Sequence, residues 1–326
     1  MVGGHPGRLS GISVSPPVSL ASLAERYGGA VDAEAEHLLV ERICSLETGG
    51  ARALCPLTLR RNAELAARVA ASGAALLVDA EWASLVARGR RWLHPHASWA
   101  LAGVLADLAP PKDPERHERA VVEEGADIGP GASIGAGALV MAGASVGANS
   151  IIEPHAVVYP RVRMGQRVVV GAGAVIGRPG FGWASGPRGD LRRIPQLGGV
   201  WIDDDVEIGP LATVDAGTLG PTILERGVRL DAHVHVGHNV AIGPGTMVAA
   251  QSGFAGSVRI GAGVRIGGQA GFADHVTVGD GANVAAKAGV IGNIPSGVTV
   301  AGYPAVSRVR WLKGMARMLG AGRKSK

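Results

Sequence analysis

From Ile128 onward an aliphatic residue recurs at every sixth position: Ile128, Ile134, Val140, Val146, Ile152, Val158, Met164, Val170 and Ile176. Glycine usually follows it, and small residues fill much of the remainder. A period of six matches neither the 3.6-residue helix nor the two-residue alternation of a strand. It is the pattern of a parallel β-helix, in which each hexad supplies one short strand and one turn. The aliphatic residue points inward and the small residues let the chain round the corner. The register breaks after Ile176, returns at Ile202, Ile208 and Val214, and breaks again. It then runs without interruption from Leu224 to Val290. The spacing does not fix the hand of the coil.

Before this region the texture is mixed. Residues 1–17 read as a flexible leader, and 18–118 as a small α/β domain. In it SLASLAERYGG predicts a short helix ended by glycine, LTLRRNAELAARVAASG a longer amphipathic helix closed by Gly73, AALLVDA a buried strand, and SWALAGVLADLAPP a helix stopped by prolines. PPKDPERHERA is a polar linker. The β-helix is expected over 121–303, with a basic helix and tail over 304–326. The break at 177–199, GRPGFGWASGPRGDLRRIPQLGG, is too long for a corner and must loop out. It joins Phe181 and Trp183 to Arg188, Arg192 and Arg193, and loops on rigid scaffolds often carry function.

Composition narrows the picture. The 51 glycines favour tight turns, and scarce aromatics disfavour a large helical core. The formal charge of +5 is concentrated at the end of the chain: residues 308–326 hold seven Lys and Arg and no acid, without which the charge becomes −2. The basic pI thus describes a tail, and no nucleic-acid-binding body is implied. Two cysteines, Cys44 and Cys55, are too few for a disulfide framework or a Cys-rich zinc site. Reduced thiols, the lack of an 18-residue apolar run and a first segment unlike a signal peptide lead to the expectation of a cytoplasmic protein with no transmembrane segment.

The candidate chemistry lies in DAHVHVGHNVAIG, residues 231–243, where His233, His235 and His238 crowd together. With three hexads per turn, residues 18 apart stack at roughly 4.8 Å per coil. His238 then lies below Gly256 and Asp274, Asn239 below Ser257 and His275, and Val236 below Phe254 and Phe272. His238 and the Asp274–His275 pair would flank a slot about 10 Å long with bare backbone between. Neutral histidine suits proton abstraction near pH 7, and a glycine N–H can approach a carbonyl closely. No Gly-x-Ser-x-Gly elbow is present and neither cysteine lies in the repeats, so direct attack by a substrate nucleophile is the simpler chemistry. Solvated surface histidines, or a His233–His238 metal pair completed across an interface, are the alternatives.

The stretch from the GFG loop through RIPQ, VEIG-x3-TVD and HNV-x-IG resembles the core of the UDP-3-O-(3-hydroxyacyl)glucosamine N-acyltransferases of lipid A biosynthesis, a hexapeptide-repeat family. The likeness continues through AAQSGFAGS, IGGQAGFADH and IPSGVTVAGYPA. It implies a left-handed parallel β-helix, a homotrimer, and transfer of a 3-hydroxyacyl chain from acyl carrier protein to the 2-amino group of the UDP-sugar lipid. No metal or diffusible cofactor is implied. The catalytic positions fall on His238, Gly256 and His275, and the substrate-binding candidates are Phe181, Gly182, Asp231, Asn239 and Asp274. Asp231 is also a candidate to orient His238. The aromatic pair that holds uracil in the family falls on Cys55 and Arg61, and its Asp-Arg-Gly reads Asp215-Ala216-Gly217. Transfer to a different nucleotide amino sugar is therefore a second expectation.

Overall fold

The computed structural model describes residues 11–109, 115–302 and 308–321. The chain divides into two compact units at residues 112/113.

The N-terminal unit is a six-stranded mixed sheet with helices. Strands β3 (Leu39–Ile43), β4 (Ala53–Leu57), β5 (Ala75–Asp79) and β6 (Arg91–His94) run parallel; β1 (Ile12–Ser19) and β2 (Ala30–Val31) close the two edges antiparallel. Alternation along β5 divides the core. Ala75 and Leu77 pack with Leu20, Leu54 and Trp92, while Leu76 and Val78 pack with Leu57 and Val69. Three helices, α1 (Leu20–Tyr27), α2 (Ala63–Ala71) and α3 (Ala97–Leu108), follow the predicted segments. Ser19 caps α1 through the Ser22 N–H, and Gly28 leaves it at φ 87°, a backbone conformation that glycine adopts freely.

Two expected boundaries are corrected. Residues 12–17 are not a leader: they belong to β1, which pairs with β3. The linker also ends early, because Glu115 and His117 already hydrogen-bond to Ile134 in the β-helix. Residues 1–10 and 110–114 lie outside the described residues.

The second unit is a left-handed parallel β-helix of three ladders. One ladder runs from Val121–Val122 through Thr213–Ala216 and His235–Val236 to Gly289–Val290. The inward row is buried and aliphatic, interrupted by Phe254 and Phe272, whose rings stack at 4.7 Å. Register is 18 residues where the hexads are unbroken: His235 pairs with Gly253, and Gly253 with Gly271. The insertions lengthen two coils, so that Val175 pairs with Thr213 and Thr213 with His235. Corners fall at one residue per hexad in the left-handed region, among them His233, Asn239, Ser257 and His275 at φ 59–63°. Asparagine tolerates this conformation better than most side-chain-bearing residues. From such a corner the N–H reaches the preceding coil, as from Ser257 to the His238 carbonyl at 2.9 Å.

Within 177–199, Trp183–Ser185 and Leu191–Arg193 pair as an exposed antiparallel hairpin, with the Arg193 guanidinium over the Trp183 ring. After residue 302 the described chain resumes as helix α4 (Arg308–Ala321), where Lys313 and Arg317 are exposed.

Candidate active site

Strict register between residues 235 and 289 places His238, Gly256, Asp274 and His275 along one edge of the prism. They line a crevice of about 460 Å³, together with Phe181, Asp215, His235 and Phe254. The His238 ring lies against the Gly256 backbone: a methyl group on Gly256 would sit 2.6 Å from Cε1 and 2.8 Å from Nε2. Among the backbone hydrogen bonds of the described residues, none is donated by the Gly256 N–H, while its carbonyl accepts from His275 N–H at 3.1 Å. Phe181, 81% exposed, stands at the rim. Gly180 closes over His238, where a methyl would lie 3.0 Å from the histidine Cβ and 3.3 Å from Asp215 Oδ2.

The remaining candidates sit elsewhere. Gly182 is buried outside the crevice lining; a methyl there would lie 2.6 Å from the Gln196 amide nitrogen, so it serves packing within the loop. Asn239 lies behind His238 and accepts from it, with Nδ1 to Oδ1 at 3.1 Å. Asp231 lines a different groove, about 780 Å³ in volume, on the ladder containing Arg229–Leu230 and Met247–Val248. Its carboxylate accepts from the N–H groups of Ala232 at 2.7 Å and Ala250 at 3.1 Å. It therefore does not orient His238 within the chain.

Asp215 joins the crevice without having been a candidate, and with it comes His235, which the sequence offered only as one of three crowded histidines. Asp215 is 2% exposed, and burial pushes its carboxyl above the usual range against the opposing pull of His235, Arg178 and His238. Its Oδ1 has no hydrogen-bond partner among the described residues, though Arg178 Nε stands 3.4 Å away. His235 hydrogen-bonds Thr213 Oγ1 at 2.7 Å and lies 3.9 Å from Asp215 Oδ2. Counting in eighteens hid this cluster; the four extra residues between strands 213–216 and 222–224 make the local step 22, which pairs Thr213 with His235. His233 is an exposed corner residue away from the crevice lining. Among the described residues no group of three or more His, Cys, Asp or Glu is placed to hold a metal ion, and no helix is long and apolar enough to cross a membrane.

Fold and site together define a hexapeptide-repeat β-helix protein with a histidine crevice on one edge. A family model for the bacterial transferase hexapeptide (six repeats) matches residues 143–178. Among curated proteins the chain is similar to UDP-3-O-acylglucosamine N-acyltransferases. It is 58% identical over 137 residues to one from Legionella pneumophila strain Philadelphia 1, covering 42% of this chain and 40% of that protein. It is 55% identical over 140 residues to one from Syntrophus aciditrophicus, covering 43% and 38%. The match thus spans about two fifths of these relatives' length. Among solved structures, a UDP-N-acetylglucosamine acyltransferase from Campylobacter jejuni superposes with TM-score 0.51 at 27% identity, over 55% of this chain and 68% of that one. The O-acyltransferase of Moraxella catarrhalis shares the fold, with TM-score 0.54 at 24% identity over 62% and 77%.

Proposed function

We propose that this protein is an N-acyltransferase that moves a 3-hydroxyacyl chain from acyl carrier protein to the 2-amino group of UDP-3-O-(3-hydroxyacyl)glucosamine. The observation that carries the reading is the His238 imidazole seated on the Gly256 backbone, in a crevice that Asp274 and His275 also line. The amine nitrogen attacks the thioester carbonyl carbon while His238 Nε2 takes its proton. The resulting oxyanion faces the Gly256 N–H, and one such donor contributes about 3 kcal/mol. The C–S bond then breaks, and the imidazolium returns the proton to the leaving thiolate. Both substrates bring their own reacting groups, so the step uses no resident cofactor. The chain works as a cytoplasmic homotrimer, which sedimentation at three times the chain mass checks.

The test is acylation with 3-hydroxyacyl carrier protein and UDP-3-O-acylglucosamine. His238→Ala should lower turnover by about 100-fold or more; full activity in the variant overturns the base assignment. A second reading, transfer to a different nucleotide amino sugar, is favoured by one observation. Cys55 is fully buried, its thiol pushed up to about 12 by burial, so it presents nothing to a nucleobase. Activity restricted to another amino sugar would select that reading.

A further inference from the structure

Behind His238, three side chains from three separate segments meet. We propose that Asn239, Thr218 and Gln196 are positioning residues that hold neutral His238 as the Nδ1–H tautomer and keep its Nε2 lone pair directed at the crevice. This rests on the reading of His238 as the base, and it names what makes the imidazole one.

A neutral imidazole carries one N–H, and its neighbours decide where. An asparagine beside it settles nothing by itself, because its O and N are nearly indistinguishable and the amide can be turned over. Here two backbone groups of opposite kind fix the amide. The Gly220 carbonyl can only accept, and Asn239 Nδ2 donates to it at 3.1 Å. The Thr218 N–H can only donate, and Asn239 Oδ1 accepts from it at 3.1 Å. Both demand the same orientation. Oδ1 therefore faces His238 Nδ1, which must donate across the 3.1 Å between them. The proton is on Nδ1, and Nε2 is the basic nitrogen.

The Thr218 hydroxyl extends the chain. It lies 2.8 Å from Asn239 Oδ1 and 2.7 Å from Gln196 Oε1. Gln196 is itself oriented, because its Nε2 donates to the Ile194 carbonyl at 3.0 Å. Two amide oxygens thus share a single hydroxyl proton. Lone pairs outnumber protons behind Nδ1–H, which favours the imidazolium that forms when Nε2 takes a proton. A carboxylate does this elsewhere by full charge; here neutral oxygens in a half-buried setting do it. Gln196 is 7% exposed, and no solvent-facing role explains a buried glutamine at the end of a long insertion.

The backbone makes the arrangement rigid. Leu197 and Gly198 donate to the carbonyls of Thr218 and Gly217 at 2.9 and 2.8 Å, zipping the end of the insertion to the four-residue extension. Methyl groups on Gly198 or Gly217 would lie 2.1 and 2.0 Å from the Gly220 carbonyl oxygen, so this approach requires glycine at both. Asn239 sits at a left-handed corner, its own N–H held by Thr222 Oγ1 at 2.9 Å. Both interruptions of the hexad register therefore end on one amide, which touches the histidine.

The experiment is long-range ¹H–¹⁵N NMR on ¹⁵N-histidine-labelled full chain, with the His238 signals assigned by their loss in His238→Gln, alongside steady-state kinetics. Wild type should show His238 protonated at Nδ1 when neutral. Asn239→Leu should admit the Nε2–H tautomer and lower kcat by about 10-fold with KM unchanged, while Thr218→Val and Gln196→Leu, which leave the two backbone contacts of the Asn239 amide in place, should keep Nδ1–H and lower kcat by a smaller factor that Thr218→Ser restores. Should Asn239→Leu fold poorly, the wild-type tautomer and the kcat of Gln196→Leu decide, as that variant leaves the zipped backbone in place. A wild-type His238 protonated at Nε2, a folded Asn239→Leu with the wild-type tautomer, or Thr218→Val and Gln196→Leu with wild-type kcat overturns the proposal. The tautomer is read without turnover. A wild type that fails to acylate the acceptor yet shows the predicted tautomer and its shift refutes the reaction assignment and leaves the positioning chain standing.

Discussion

The crevice depends on single atoms at Gly256. Its backbone lies outside the left-handed region, so alanine is tolerated conformationally, and the three atoms nearest the new methyl all belong to the His238 ring, the first at 2.6 Å. The ring must turn aside, away from both Asn239 and the bound carbonyl. Gly256→Ala should therefore melt like wild type by circular dichroism and lose about 100-fold in kcat, the scale on which a displacement of about 1 Å acts. A variant with normal turnover would show that the ring does not work from where it lies. Asp215 is a different case: burial raises its pKa, and one of its oxygens has no hydrogen-bond partner among the described residues, although it belongs to the same cluster.

Among elements, the sheet of the N-terminal unit is tied at one edge by a buried ion pair. Arg91 on β6 donates from Nε and an Nη to the two carboxylate oxygens of Asp32 at 2.9 and 2.8 Å, and Asp32 also accepts from the Gly89 N–H at 2.7 Å. The Arg91 hydrogen bond holds the Asp32 carboxyl below the ordinary carboxylate range. A carboxyl depressed in the folded state contributes stability that is fully present above its unfolded value, and is lost as pH falls through its folded value. Acid unfolding of this unit should thus include a component that Asp32→Asn removes. At neutral pH the same substitution should cost about 3 kcal/mol in a denaturant titration, since it leaves a buried guanidinium unpaired. Equal acid sensitivity in the two proteins would refute the assignment. The β-helix elements were legible because the period is carried by residues such as Val236 and Phe254 that face one core. His238, Gly256 and Asp274 followed by counting. β1 was hidden because Pro16 and Pro17 sit inside it and read as a loop. Gln196, Thr218 and Asp215 were hidden because they flank insertions, where counting fails and only hydrogen bonds reveal the neighbours.

At the scale of the molecule, the question is how far a disturbance travels along the prism. Each coil pairs only with the coils above and below, so stability is close to a sum of coil and nearest-neighbour terms. Phe254 tests this, because it serves both the core and the crevice: it stacks on Phe272 at 4.7 Å inside, and its backbone accepts from Gly237 N–H at 3.0 Å. Phe254→Ala removes a buried ring, with a cost of about 3–5 kcal/mol. In a one-dimensional stack the cost stays local. Hydrogen exchange should accelerate at the Gly237 and Ala255 amides, which bond to the Phe254 and Phe272 carbonyls, while Met141, bonded to Val158 several coils away, keeps its protection. Activity should fall with the local loss, since His238 and Gly256 are set by the two coils that meet at this ring. Uniform acceleration from Met141 to Ala255 would mean that the prism opens as one unit. The geometry of the crevice would then be a property of the whole stack, and no longer of the coils that carry its residues.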